Sequence, residues 1–135
     1  INKIFLHVFA LEYTINLNDP NGEFTNFLEE VRDTSKIYVG NNPQCHPAFI
    51  AHQANMTLAR NVDLGPWIHT ATDVRHHALP EHNEHVSLRG GVAHTYEKRG
   101  HEIAVLDLAL FGNNERLITH LTHTAIIKPA VVNAS

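Results

Sequence analysis

The chain has 135 residues, enough for one domain and too few for two of ordinary size. Hydrophobic residues make up 43% and charged residues 18%, a balance that excludes an intrinsically disordered chain. A net charge of -4 argues against a nucleic-acid binder, and the single cysteine, Cys45, excludes an internal disulfide and fits a reducing, cytoplasmic setting.

The run from Ile4 to Leu11 is apolar but far too short to cross a bilayer, so no membrane association is expected. No small-residue cleavage site follows it, and strand is the better reading than leader. The opening Ile1 fits a processed or trimmed chain, or a piece of a longer one. Residues 4–16 are expected as a strand, closed by the turn Asn18-Asp19-Pro20-Asn21-Gly22. Residues 24–33 carry Phe24, Phe27, Leu28 and Val31 on one face and predict a short amphipathic helix. Asn41-Asn42-Pro43 marks a loop. A second helix is expected from about Pro47 to Val62, with proline at the first helical position, where its missing N–H costs nothing. Ala48, Ile50, Ala51, Ala54, Leu58, Ala59 and Val62 share a broad face, and Phe49 and Met56 extend apolar character beyond it. Gly65-Pro66 ends this helix.

The remainder reads as β structure. Residues 67–77 form a strand, and a loop follows around Pro80. Residues 85–97 alternate, with Val86, Leu88, Val92 and Tyr96 assigned to one side. Gly90-Gly91 predicts a bend or bulge within that strand. Lys98-Arg99-Gly100 is a hairpin turn. Residues 102–111 are apolar on both faces, as a central strand requires. Gly112-Asn113-Asn114 is a second turn, and residues 116–127 form the last strand, stopped by Pro129. A four-strand meander buries only one of its faces. The long apolar helix supplies the other half of a core, so the sheet is expected to wrap around it. The predicted fold is α+β: one hot-dog domain over residues 1–135, a curved antiparallel sheet around a long central helix.

Twelve histidines invite a metal-site reading. Their spacing opposes it. His82 and His85 fall in a loop, and His120 and His123, three apart in a strand, point to opposite faces. No cysteine cluster accompanies them, and no metal is expected.

Four segments resemble the MaoC-like branch of the hot-dog superfamily: His46-Pro47-Ala48-Phe49, Asn61-Val62-Asp63-Leu64-Gly65-Pro66-Trp67-Ile68-His69, Tyr96-Glu97-Lys98-Arg99-Gly100-His101 and His123-Thr124-Ala125-Ile126. The resemblance covers roughly residues 12–129. It implies a protein of acyl or enoyl thioesters, carried on coenzyme A or acyl carrier protein, with no further cofactor. The implied activity is that of an enoyl-CoA hydratase or 3-hydroxyacyl dehydratase. The alternatives are a hot-dog acyl-CoA thioesterase or a non-catalytic thioester-binding or assembly subunit. The thioesterase version is disfavoured because the helix from Pro47 to Val62 contains no Asp or Glu.

The family's hydratase signature resembles Gly-Asp-x-Asn-Pro-Ile-His. One alignment keeps the acid as Asp33 and puts Tyr38 in the histidine's place. The other keeps Gly40 and His46 but puts Asn41 where the acid belongs. Hydration needs a base to activate water and an acid to protonate carbon, work suited to a carboxylate and an imidazole near neutral pH. Tyr38, with an ordinary pKa of about 10, is a poor base but a competent hydrogen-bond donor to a thioester carbonyl. The expected catalytic residues are therefore Asp33, His46 and Tyr38, with His46 either facing Asp33 across the loop or merely capping the helix. Asn41, Pro47, Ala48 and Asn55 are the expected substrate contacts. The backbone N–H groups at the start of the helix that begins at Pro47 are candidates for an oxyanion hole. Cys45 beside His46 has no third group to activate it as a nucleophile. Lys98 and Arg99 are either phosphate contacts or a solvated turn. A hot-dog unit of this size is expected to self-associate as a homodimer, which also protects its sheet edges.

Overall fold

The computed structural model describes residues 8–61 and 65–131, without the side chains of Val8, Leu58 and Asn61. The expected strand start at residue 4 and the helix end at Val62 lie outside the described residues, as does the stretch 62–64. Within them, the elements run β1 (Val8–Thr14), α1 (Glu23–Val31), α2 (Pro47–Asn61), β2 (Ile68–His76), β3 (His85–Lys98), β4 (His101–Phe111), a 3-10 turn (Asn113–Glu115) and β5 (Leu117–Lys128). The five strands form one antiparallel sheet in the order β1-β3-β4-β5-β2. Helix α2 packs against β1, β5 and β2. This is the hot-dog arrangement expected from the sequence.

Three details differ from the pattern reading. First, β3, β4 and β5 form a meander, but β2 does not join it as a hairpin neighbour of β3. It lies at the far edge, paired with β5. Second, the register shift in β3 falls between Val92 and His94, beyond Gly90-Gly91. Leu88 and Val92 oppose Leu110 and Leu106 on the helix-facing side, whereas Tyr96 opposes Ile103 on the other face and is 41% exposed. The extra residue inverts the alternation, as a bulge must. Gly90 has another purpose: a Cβ there would overlap the Asp107 carbonyl oxygen on β4, so only glycine permits this close approach of strands. Third, the buried face of α2 is Phe49, Ile50, Gln53, Ala54 and Thr57, while Ala48 and Ala59 are exposed. Two polar residues occupy this face, and each has a side-chain donor that is met. The Thr57 hydroxyl donates to the Gln53 carbonyl, and Gln53 Nε2 donates to Glu23 on α1.

Strand β4 is the apolar centre that its sequence promises. Ala104, Leu106, Leu108 and Leu110 face the core, joined by Phe9, Ile50, Leu88, Ile118 and Leu121. Ile103 and Val105 are also buried, on the opposite face. Beside this core, buried Glu84 ties the β2–β3 loop to the β4–β5 turn. It accepts the backbone N–H groups of Glu81 and Asn113 at 2.9 Å each and takes Arg116 Nη2 at 2.6 Å. Burial raises its carboxyl pKa, but those hydrogen bonds and the guanidinium outweigh it and hold the group below its usual range. Arg116→Met should cost about 2 kcal/mol in urea unfolding, because it strands a buried carboxylate; the partial exposure of Arg116 keeps the loss below the 3–5 kcal/mol of a fully buried pair. A loss under about 0.5 kcal/mol would show that water replaces the guanidinium without penalty.

Candidate functional site

The end of α1 presents Asp33. Arg32 takes a left-handed conformation, φ 57°, although it is not glycine. Its N–H donates to the Glu29 carbonyl and the N–H of Asp33 to the Leu28 carbonyl, each at 3.1 Å. These two bonds are the Schellman closure of a helix. A non-glycine residue in that region costs about 1–2 kcal/mol, and the closure turns the chain so that Asp33 leaves the helix toward the loop. Asp33 Oδ1 then accepts the Ser35 N–H at 3.0 Å, which orients the carboxylate.

His46 approaches from the start of α2. Its Nε2 lies 3.1 Å from Asp33 Oδ2, and its Nδ1 accepts the Ala48 N–H at 3.1 Å. A backbone N–H can only donate, so Nδ1 must be the acceptor. In the neutral ring the proton therefore sits on Nε2 and is donated to Asp33. His46 both caps the helix and faces the acid. The Tyr38 ring lies 4.6 Å from the His46 ring, and the Phe27 edge meets it at 5.4 Å. Asp33, Tyr38 and His46 thus converge, with side chains 32% exposed at Asp33 and 18% at His46. Asp33 and Tyr38 open onto a groove of about 660 Å³, lined also by Leu17, Leu28, Arg32 and Val39.

The expected substrate contacts are less concentrated. Asn41 is exposed in the loop, next to Gly40 on the groove wall but not itself part of it. Pro47 and Ala48 are exposed at the helix start. The amides expected there as an oxyanion hole are engaged: Ala48 N–H by His46 Nδ1 and Phe49 N–H by the His46 carbonyl, while Pro47 has none. Asn55 sits about 12 Å along the helix from Pro47, half-buried, with Oδ1 buried and unpartnered. Cys45 is buried, and burial pushes its thiol up to about 12, so it stays protonated and unreactive at neutral pH. Lys98 and Arg99 lie on the β3–β4 turn and take no part in the groove.

Two features escaped the sequence reading. Arg32, at the end of the amphipathic helix and in the place of the signature's glycine, is not among the expected site residues, yet it lines the groove beside Asp33. His69 on β2 and His123 on β5, noted separately in two motif segments, stack with ring centroids 4.3 Å apart. The Thr72 hydroxyl bridges them, 2.7 Å from His69 Nε2 and 2.9 Å from His123 Nδ1. Only the pairing of β2 with β5 could have revealed this, since Thr72 opposes His123 in that register. Strand parity does separate His120 from His123: His120 pairs with Asp107 on the outer face, whereas His123 is fully buried. Among the described residues, no group of three or more His, Cys, Asp or Glu side chains is placed to hold a metal ion. None of the described helices is long and apolar enough to cross a membrane.

The molecule is a hot-dog protein with an Asp–His pair where its central helix begins. Its sequence matches no protein-family model and no curated protein. Solved structures nevertheless share its fold along nearly the whole chain. The (R)-hydratase from A. caviae involved in PHA biosynthesis superposes with a TM-score of 0.71, covering 90% of this chain and 97% of its own, at 14% identity. R-hydratase PhaJ1 from Pseudomonas aeruginosa gives 0.74 over 96% of this chain and 86% of its own, at 8% identity. The HadBC (3R)-hydroxyacyl-ACP dehydratase complex from Mycobacterium tuberculosis gives 0.71 over 92% and 97%, at 12% identity. Identities this low establish the fold and leave the activity to be argued from the site.

Proposed function

We propose that the protein binds enoyl or acyl thioesters in the groove beside α1 and hydrates the enoyl double bond, with Asp33 as the proton-transferring group. The observation that carries this reading is the Asp33–His46 pair at the groove, in a fold shared with hydratases and dehydratases. Hydration adds OH to the β-carbon and H to the α-carbon. Asp33 takes a proton from water as its oxygen attacks the β-carbon, then returns that proton to the α-carbon. Its carboxylate has about four lone-pair positions, and Ser35 and His46 use two, so two remain for water and substrate. His46 is not the base here. Its Nδ1 is occupied, its Nε2 already carries hydrogen, and its role is to position Asp33. Tyr38 donates to the thioester carbonyl, the electrophilic help that the engaged helix amides do not supply.

Those engaged amides also favour a second reading, a thioester-binding subunit without turnover. Crotonyl-CoA hydration, followed by loss of enoyl absorbance, and calorimetry with butyryl-CoA separate the two. Turnover supports the hydratase. Binding without turnover across enoyl chain lengths leaves the binding subunit. Release of free thiol makes it a thioesterase, and absence of binding ends the thioester reading. On the same reading the protein works in the cytoplasm as a homodimer joined along β2. That strand is a sheet edge, exposed at most of its positions, with Ile68 51% exposed. A monomer in sedimentation would oppose it.

A further inference from the structure

A second cavity, of about 240 Å³, lies between the end of β1, the start of α1 and the middle of α2. It shares no lining residue with the groove of Asp33 and Tyr38. Its walls include the aromatic rings of Phe24 and Phe49, which meet edge to face at 5.2 Å. Two polar side chains in its lining have unpartnered atoms. Gln53 is 1% exposed, and its Oε1 is buried without a hydrogen bond. The Tyr13 hydroxyl is likewise buried and unpartnered. Leaving a buried polar atom unsatisfied costs about 1–3 kcal/mol, so two in one small cavity call for an explanation.

The orientation of the Gln53 amide is fixed. Its Nε2 donates to Glu23 Oε2 at 3.0 Å, and a carboxylate can only accept. Glu23 is in turn held by Arg60 Nη2 at 3.1 Å on its other oxygen. Oε1 is therefore a committed acceptor, which a ligand must meet with an N–H or O–H. Tyr13 retains its phenol proton, because burial, with Cys45 and Glu23 adding to it, raises its pKa. It can donate or accept. The charged groups in the lining, Asp19, Glu23 and Arg60, sum to one net negative charge, which disfavours anions. Arg60 already neutralises Glu23, which leaves little attraction for a cation.

We propose that this cavity is a second binding site, for a small neutral molecule that donates hydrogen bonds: an alcohol, a polyol or a primary amide. Gln53 Oε1 accepts from it, Tyr13 completes the pair, and Phe24 and Phe49 enclose its carbon skeleton. The site stands independently of any thioester chemistry in the other groove. Lactamide, which carries both a hydroxyl and a primary amide, is the probe, with butyrate as the anionic control. In NMR titration of the isotope-labelled full chain, lactamide should shift the Gln53 side-chain amide and the resonances around Tyr13 saturably. Tyr13→Phe should weaken binding about tenfold while leaving the fold at least as stable, since it removes an unsatisfied hydroxyl. Gln53→Met should weaken binding by a similar factor. Non-saturating shifts, equal binding of butyrate, undiminished affinity in both variants, or only water in lactamide-soaked crystals would each overturn the proposal.

Discussion

Asp33→Asn should lower crotonyl-CoA hydration by about 10²–10⁴-fold, the range of a lost general acid–base group, while costing only about 1 kcal/mol of stability. Asparagine has one acceptor oxygen where the carboxylate has two. Ser35 N–H and His46 Nε2–H both point at this side chain, and Ala48 prevents His46 from changing tautomer. One donor is therefore left unmet, and the site loses its charge but not its shape. His46→Asn is the complementary experiment. Asparagine is among the best N-caps, so it preserves the acceptor for the helix start and removes only the imidazole. With His46 as a positioning residue, activity should fall about 10–100-fold, by misplacement of Asp33 rather than loss of a proton carrier. If Asp33→Asn retains more than about a tenth of the wild-type rate, Asp33 is not the base. Should His46→Asn be fully active, the histidine is a cap and nothing more.

How far the sequence disclosed these features depended on the range of the interactions involved. Local periodicity located both helices and all five strands within a few residues, because alternation and helical spacing are set by neighbours along the chain. The partner of β2 is not a local property. Nothing in residues 67–77 says whether they pair with the next strand or with one some 50 residues on. The burial of Gln53 was equally hidden, since it depends on Glu23, thirty residues earlier. The Asp33…Tyr38…His46 constellation was legible as residue types in a loop, but its convergence was not. That rests on Arg32 adopting a conformation usually signalled by glycine, and the sequence carries no glycine there. The engaged amides of Ala48 and Phe49 could not be foreseen either. A histidine before a helix reads equally as catalyst or cap until the direction of its ring is known.

Lowering the pH from 7 to about 4.5 should remove most of the roughly 3 kcal/mol that His123 contributes by staying neutral, with urea unfolding as the measure. His123 is fully buried, stacked on His69, with Nδ1 on Thr72 and Nε2 unpartnered. Burial, with a smaller contribution from His69, pushes its imidazole from 6.5 down to about 4. The unfolded chain therefore binds a proton between those limits that the folded chain refuses. The contribution is complete above pH 6.5 and declines by about 1.4 kcal/mol per unit as pH falls toward 4. Glu84, whose carboxyl is held below its normal range, adds a further loss only at lower pH, below the carboxylate value of 4.5. The two effects are thus separable on the pH axis. His123→Phe keeps an aromatic ring to stack on His69 and removes this titration, so it should take away most of the slope between about pH 6.5 and 4.5; the remainder belongs to His76, whose imidazole burial also lowers. His69→Ala should leave most of the slope, because burial is the larger cause and His69 the smaller. A wild-type profile already flat across that window would mean that His123 accepts its proton without disturbing the β2–β5 pairing.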